Sequence, residues 1–352
     1  MSTIFFALLF STVLGLIATP LVILFAKRFR LVDNPILRYH PANTHEGIIP
    51  RAGGLALLIP FVISTLIFVD VSQIVVGILL GAILIVLMGI VDDILDVSPI
   101  VRLFTIFGIV SLVILFGLGV PYISNPFGGV IHLDQFKFTY ELFGQQREFL
   151  VLSNLFALIW ISAIMNFVNW SSGVDGQLPG FTAISCIFLG LIALRFSSHE
   201  ISSYSVALLS FIAAGSCLGF LPWHFYPQKI MPGYSGGALA GFFLGVLSIL
   251  SWGKIGTMAL VLAIPLVDAF YIIIRRLSSG KSPLRGDAGH FHHRLLEAGW
   301  GKRRISVFYI IVSALFGVCA LFLESTEKLL AFMIVGVLLA VFIVTLNTVK
   351  KR

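Results

Sequence analysis

Residues 73–96 read QIVVGILLGAILIVLMGIVDDILD. From Ile74 to Val91 no side chain is charged; the run then ends on two adjacent aspartates, with Asp96 four residues after Asp92. A continuous apolar run of this length suits a helix in hydrocarbon, whereas a barrel strand would alternate over roughly ten residues. Similar runs recur and set about eleven spans: 3–25, 54–69, 73–91, 101–118, 150–168, 180–195, 204–221, 238–252, 256–275, 305–323 and 329–347. The 352 residues are 58% hydrophobic and 11% charged, too little charge to cover a water-soluble domain of this size. In lipid only helices or closed barrels satisfy the backbone. The expectation is an all-α polytopic membrane helical bundle, one integral unit over residues 1–352, without a soluble segment long enough to fold alone.

The basic residues orient it. With the N-terminus outside, eighteen of the 23 Lys and Arg fall on inner loops and the tail, leaving Lys137, Arg147, Arg195, Lys254 and Lys328 outside. By the positive-inside rule the chain is N-out, C-in. That loop asymmetry also accounts for the net charge of +7, so a nucleic-acid partner is not expected. No basic stretch precedes residues 4–25 and no small-residue cleavage site follows them, so they read as a retained first span. Cys186, Cys217 and Cys319 each sit in an apolar run without paired spacing and read as small core residues. The largest outer loop, 119–149, alternates through Ile131–Phe138, with Gly128 and Gly129 before it and Gly144 near its end. It predicts a short hairpin on the outer surface.

The polar residues gather on the inner side. Adjacent carboxylates at Asp92 and Asp93 repel each other and invite a cation, and at a helix C-terminus they also oppose the macrodipole. Asp268, in ALVLAIPLVDAF (259–270), has apolar neighbours on every side. A carboxylate there costs about 2.5–3.5 kcal/mol on insertion scales unless it meets a wet cavity or a cation. A paired Arg would serve, but a hard oxygen donor suits Mg²⁺. Asn166 and Asn169 share one helix face before Gly173, Asp175, Gly176 and Gly180, where the backbone is free to approach a ligand. His290, His292, His293 and Arg294, beside Asp287, lie in the most basic loop and suit a phosphate or diphosphate. Zinc is the weaker reading, since no Cys lies nearby; a solvated loop is the bland one. Residues 231–237 form a Gly-rich loop that offers backbone N–H groups to an anion. Hard acids beside phosphate-binding cations, among apolar helices, imply Mg²⁺-assisted chemistry on a phosphate with a lipid-borne partner.

In this order the segments resemble the polyprenyl-phosphate N-acetylhexosamine-1-phosphate transferases. The resemblance rests on five motifs. They are HEGIIPRAGG (45–54), Asp92-Asp93, Asn169 with Gly173-Val174-Asp175-Gly176, Ile264-Pro265-Leu266-Val267-Asp268, and His290-x-His292-His293. The His-x-His-His loop looks closer to the O-antigen and teichoic acid initiators than to the peptidoglycan branch. The resemblance implies reaction of a UDP-sugar with polyprenyl phosphate at the cytoplasmic face: a lipid phosphate oxygen attacks the sugar-bearing phosphorus and UMP leaves. It implies that Asp268 holds Mg²⁺ (or Mn²⁺), and that Asp92 or Asp93 deprotonates or orients the lipid phosphate. Asn166, Asn169 and Asp175 position nucleotide or metal, and His290, His292, His293 and Arg294 bind phosphates. Such enzymes are often homodimers.

Two positions depart from the family pattern. Ser172 stands where an acid usually precedes the first Gly of the Asn segment, and Tyr234 where the short loop usually carries Asp. Both changes remove negative charge near the expected nucleotide and sugar, and Tyr234 offers a ring to stack on either. The competing reading from another class is an ion-coupled transporter with the acids as its ion path. It predicts acids near the bilayer midplane and symmetry between halves, whereas most acids here fall at span ends on one side. A third reading is a family member with altered catalysis.

Overall fold

The computed structural model describes residues 2–36, 44, 47–125, 127–142, 145–196, 201–251, 255–282 and 289–349. The sequence features at His45, Glu46, Gly144 and Asp287 lie outside them, as do Arg38, Lys254, Arg285, Lys350, Lys351 and Arg352. The chain is a helical bundle that crosses the membrane repeatedly. Its long helices are α1 (Ser2–Arg28), α3 (Gln73–Leu95), α5 (Val151–Trp170), α6 (Gln177–Phe196), α7 (Ile201–His224), α8 (Gly233–Leu250), α12 (Lys302–Phe322) and α13 (Ser325–Val349). Shorter apolar helices α2 (Gly53–Phe68) and α4 (Pro99–Leu115) lie beside them. Among the described residues eight helices are long and apolar enough to cross a membrane, or nine counting one bent pair.

That bent pair lies where one span was expected, at 256–275. The chain there forms α9 (Ile255–Val261) and α10 (Ala263–Ser278), turned 84° from each other. Pro265 is the physical reason: without an N–H it cannot bond back to Val261, so it is tolerated only in the first turn of a new helix. The loop hairpin also differs from expectation. Two hairpins form, β3 (Tyr122–Ser124) with β4 (Val130–His132) and β5 (Lys137–Leu142) with β6 (Gln145–Leu150). The turn at Gly128 and Gly129, both at positive φ, joins β3 to β4, and the alternating stretch 131–138 is split between β4, which ends at His132, and β5, which begins at Lys137. A third pair, β1 (Val32–Asp33) with β2 (Ile49–Pro50), lies between α1 and α2. A seven-residue helix, α11 (Phe291–Glu297), was not expected.

Helices surrounded by lipid gain little from apolar burial, so they associate where small residues let backbones meet. On α8, Gly237, Gly241 and Gly245 stack along α5. A Cβ at Gly241 would lie 2.4 Å from the Met165 Cα, and one at Gly245 would lie 3.1 Å from the Ile161 Cα. On α7, Gly219 meets α1, where its Cβ would lie 2.4 Å from the Thr12 carbonyl oxygen. Ser11 Oγ donates to Ile212 O at 2.8 Å and Ser216 Oγ to Leu57 O at 2.6 Å, tying α1 to α7 and α7 to α2. Helix α8 is thereby the central element and α13 the most lipid-facing: 89% of the membrane window is buried in the first and 6% in the second.

Candidate active site

Connectivity brings the C-terminal ends of α3, α5 and α7 and the N-terminal ends of α2, α6, α8 and α12 to one end of the bundle. Among the described residues, the acids and imidazoles singled out in the sequence lie at this end or beside it.

Helix α3 runs one turn past its expected end, so Asp92 and Asp93 sit on its last helical turns, both buried. The helix stops at Asp96, in the left-handed region with φ 55°. Asp93 faces the start of α8, where Gly233 turns at φ 66° and Pro232 supplies no side-chain cap. The carboxylate of Asp93 does that work from α3. Its Oδ1 accepts from Tyr234 N (2.8 Å), and its Oδ2 accepts from Ser235 Oγ (3.0 Å) and Ser235 N (3.4 Å). These are the N–H groups a helix leaves unmade at its first turn. Arg51 Nε lies 2.9 Å from Asp93 Oδ1, brought there because Arg51 pairs with Met231 and its Nη1 also reaches Asp33 at 3.8 Å.

Asp92 has a different environment. Arg102 Nε approaches its Oδ1 at 3.0 Å, yet the Nε–H donates to Val97 O at 2.9 Å. Oδ1 of Asp92 is therefore buried beside a positive charge with no hydrogen bond of its own among the described residues. The same guanidinium lies 5.1 Å from the centre of the Tyr234 ring and 3.8 Å from Asp96. Tyr234, at the position of the family's acid, is thus buried with one ring face against Arg102.

Asn169 lies at the end of α5 against α8, where a Cβ on Gly237 would meet its Oδ1. Asn166, one turn earlier, turns its amide back to Ser162 O (2.8 Å). After α5 the chain folds tightly: Ser172 Oγ donates to Asn169 O (2.5 Å), and Thr44 Oγ1 donates to Gly173 O (2.7 Å). His292 packs directly on Gly173, so closely that a Cβ there would overlap its ring. Asp175 is buried, accepting from Gln228 N at 3.2 Å through Oδ2 and facing Lys302 Nζ at 3.4 Å through Oδ1. Beside it opens a cleft of about 610 Å³ lined by Tyr226, Gln228, Trp300, Lys302 and Arg303.

Asp268, on the second turn of α10, is buried and hydrogen-bonded through both oxygens. His290 Nδ1 lies 2.8 Å from Oδ2, and Phe291 N donates to Oδ1 at 2.8 Å. With Asp268 ionised, the imidazole donates through Nδ1–H, which fixes the ring's orientation. The second bond caps α11, whose N-cap His290 makes no side-chain cap of its own. Two acids from two spans, Asp93 and Asp268, thus each hold the start of a helix from elsewhere in the chain. The rings of Trp170 and His290 are 6.3 Å apart, linking this group to the end of α5. His292 stacks parallel to His290 at 5.8 Å and lies 4.3 Å from His293. Both His292 nitrogens are buried without hydrogen bonds among the described residues. Burial first, then the neighbouring His293 and His290, pushes its pKa well below the usual imidazole value and keeps the ring neutral. Arg294 reaches back, with Nε to Gly289 O at 2.9 Å and its guanidinium 5.1 Å from the Tyr271 ring.

Among the described residues no three carboxylate, imidazole or thiol groups converge as a metal centre. Mg²⁺ takes one or two carboxylates, with waters and substrate phosphates completing its shell. Asp175 offers a hard oxygen donor of that kind, its Oδ1 buried with no hydrogen bond among the described residues, while each Asp268 oxygen takes one hydrogen bond and keeps a second lone pair. Several neighbours were not singled out in the sequence as site residues: Arg51, Arg102, Trp170, His224, Arg276 and Lys302. Arg276 is buried on α10 and stacks at 5.7 Å over Trp170. Basic residues were visible there only as a charge excess; their partners are distant in sequence.

A family model described as Glycosyl transferase family 4 matches residues 75–252, a stretch that includes Asp92, Asp93, Asn169, Asp175 and Tyr234. The chain is 28% identical over 342 residues to a probable undecaprenyl-phosphate N-acetylglucosaminyl 1-phosphate transferase of Bacillus subtilis, covering 95% of this chain and 88% of the relative. It is 29% identical to a decaprenyl-phosphate N-acetylglucosaminephosphotransferase of Mycolicibacterium smegmatis, with coverages of 95% and 86%. An undecaprenyl-phosphate alpha-N-acetylglucosaminyl 1-phosphate transferase of Haemophilus influenzae is 30% identical over 325 residues, with coverages of 89% and 84%.

Proposed function

This chain belongs to glycosyl transferase family 4, and we propose that it moves an N-acetylhexosamine 1-phosphate from a UDP-sugar to polyprenyl phosphate, releasing UMP, at the cytoplasmic face of the cell membrane. It is a membrane phosphotransferase that places a sugar phosphate on a polyprenyl phosphate. The reaction forms one P–O bond from the lipid phosphate to the sugar-bearing phosphorus and breaks the anhydride P–O bond to UMP. Displacement of this kind depends on positioning and charge neutralisation rather than on a protein nucleophile.

The observation that carries the reading is the buried Asp268–His290 pair. It ties α10 to the His-Arg loop, and the His290 ring meets Trp170, next in sequence to Asn169, which packs against Gly237 of α8. In this reading the cleft beside Asp175 takes the nucleotide, with Lys302 and Arg303 facing its phosphates and Tyr226 and Trp300 offering apolar faces. His290, His292, His293 and Arg294 receive the diphosphate. The oxygens of Asp93 are committed to α8, so Asp92, whose Oδ1 lacks a hydrogen bond among the described residues, orients the lipid phosphate or takes its proton. Asp268 and Asp175 would hold Mg²⁺ or Mn²⁺, which supplies charge neutralisation on the diphosphate when bound. The lipid tail lies among the apolar helices.

A second reading, a member with altered catalysis, is favoured by one feature: Tyr234 stands at the family's acid and Arg102 sits between its ring and Asp92. UMP release by the purified chain in detergent separates the two. With undecaprenyl phosphate, Mg²⁺ and a panel of UDP-N-acetylhexosamines, UMP is expected only when lipid and metal are both present. Asp268→Ala is expected to lower turnover by at least about a hundredfold. A folded wild-type protein that releases no UMP with any donor would support the second reading.

A further inference from the structure

We infer that His224 is a positioning residue for the nucleotide donor, acting through the turn that presents Asp175. It lies at the C-terminal end of α7, far in sequence from that turn, and is almost fully buried. Gly176 N donates to its Nδ1 at 2.6 Å. Because Nδ1 accepts from a backbone N–H, the neutral ring carries its proton on Nε2. That nitrogen is itself buried without a hydrogen bond among the described residues. A buried, unpaired ring N–H is a standing cost, retained here while the opposite nitrogen holds one backbone donor.

Around it, Gln177 N donates to Val174 O at 3.1 Å and Gly180 N to Gly176 O at 3.2 Å, while the Gly176 N–H itself is held by His224. Gly176 sits at φ 81°, and a Cβ there would lie 2.6 Å from the Phe225 ring and 2.8 Å from Ser306 Oγ. Asp175, one residue earlier, is held by Gln228 N and faces Lys302. Gln228 lies four residues after His224, the last residue of α7, so the segment containing both grips Asp175 and Gly176. Loss of the Nδ1 acceptor would strand the Gly176 N–H and free the turn to rotate, moving Asp175 against the cleft. A displacement of about 1 Å in a positioning group costs up to about a hundredfold in rate.

This inference rests on the proposed nucleotide role of Asp175, and the test separates the two. Full-length His224→Asn and His224→Gln are assayed for UMP release beside the wild type, using the UDP-sugar the wild type accepts and undecaprenyl phosphate. Asn places its Oδ1 near Nδ1 and retains an acceptor for Gly176; Gln carries its acceptor further out, near Nε2. Both remain polar and similar in size, and thermal unfolding in detergent checks that each is folded. Expected is a rise in donor KM of about tenfold or more for Gln, an unchanged KM for the lipid, and Asn within about threefold of wild type. The inference is overturned if Asn and Gln behave alike, if Gln leaves donor KM unchanged, or if it raises both KM values equally. A wild type without turnover would instead sink the proposed function.

Discussion

Arg51 and Arg102 set what each aspartate of the pair is able to do. Arg51 sits against an Asp93 whose oxygens already fasten the first turn of α8, so that pair is structural. Removing one partner of a buried pair leaves an uncompensated charge and costs several kcal/mol. Arg51→Met is therefore expected to lower stability by about 3 kcal/mol. Adding Asp93→Asn to that variant should recover part of the loss, read as thermal unfolding in detergent. A double variant less stable than Arg51→Met alone would show that the charge is not what Arg51 serves. The acids were legible in the sequence because a charge in an apolar run is conspicuous: Asp92, Asp93 and Asp268 needed no structure to be found. Their partners were not. Arg51 is separated from Asp93 by α2 and most of α3, and His290 reaches Asp268 across a loop; only the fold brings them within 3 Å. The two departures at Ser172 and Tyr234 were visible as residues, but the Arg102 guanidinium over the tyrosine ring was not.

At the scale of elements, the spans were legible because lipid imposes one rule on each, a long apolar run. What two helices share was hidden, since in lipid every face is apolar and periodicity no longer marks the buried one. The Gly237, Gly241, Gly245 series was on the page from the start, but nothing in it named α5 as the partner. Pro265 was legible as a proline that breaks the helical bonding, but the 84° turn between α9 and α10 was not. The glycine seam makes a sharp prediction. A side chain at Gly241 meets the backbone of Met165, which cannot move aside as a flexible side chain would. Gly241→Val is expected to lose about 1–3 kcal/mol or more of stability through overpacking. Gly108→Ala, on α4 where a Cβ meets nothing within 4 Å, is expected to be neutral or to gain up to about 1 kcal/mol. Equal unfolding temperatures for the two variants would count against close α5–α8 contact.

For the whole molecule, the chemistry and the charge asymmetry point to the same end of the bundle. The acids, the His-Arg loop and the cleft beside Asp175 lie where α3, α5 and α7 finish, and the two hairpins between α4 and α5 lie at the other end. A UDP-sugar made in the cytoplasm reaches only a site on that side, so the proposed function requires the hairpins to face outward. Orientation is thus a condition on mechanism. Single cysteines test it: Lys137→Cys on β5 and Lys281→Cys after α10 are both exposed, and lie at opposite ends. Cys186 and Cys217 are buried, so Cys319→Ser gives a quiet background. In intact cells a membrane-impermeant maleimide is expected to label Lys137→Cys, and Lys281→Cys only after permeabilisation. The reverse pattern would place the acids outside, away from cytoplasmic nucleotide sugars, and the proposed reaction could not run on that side of the membrane.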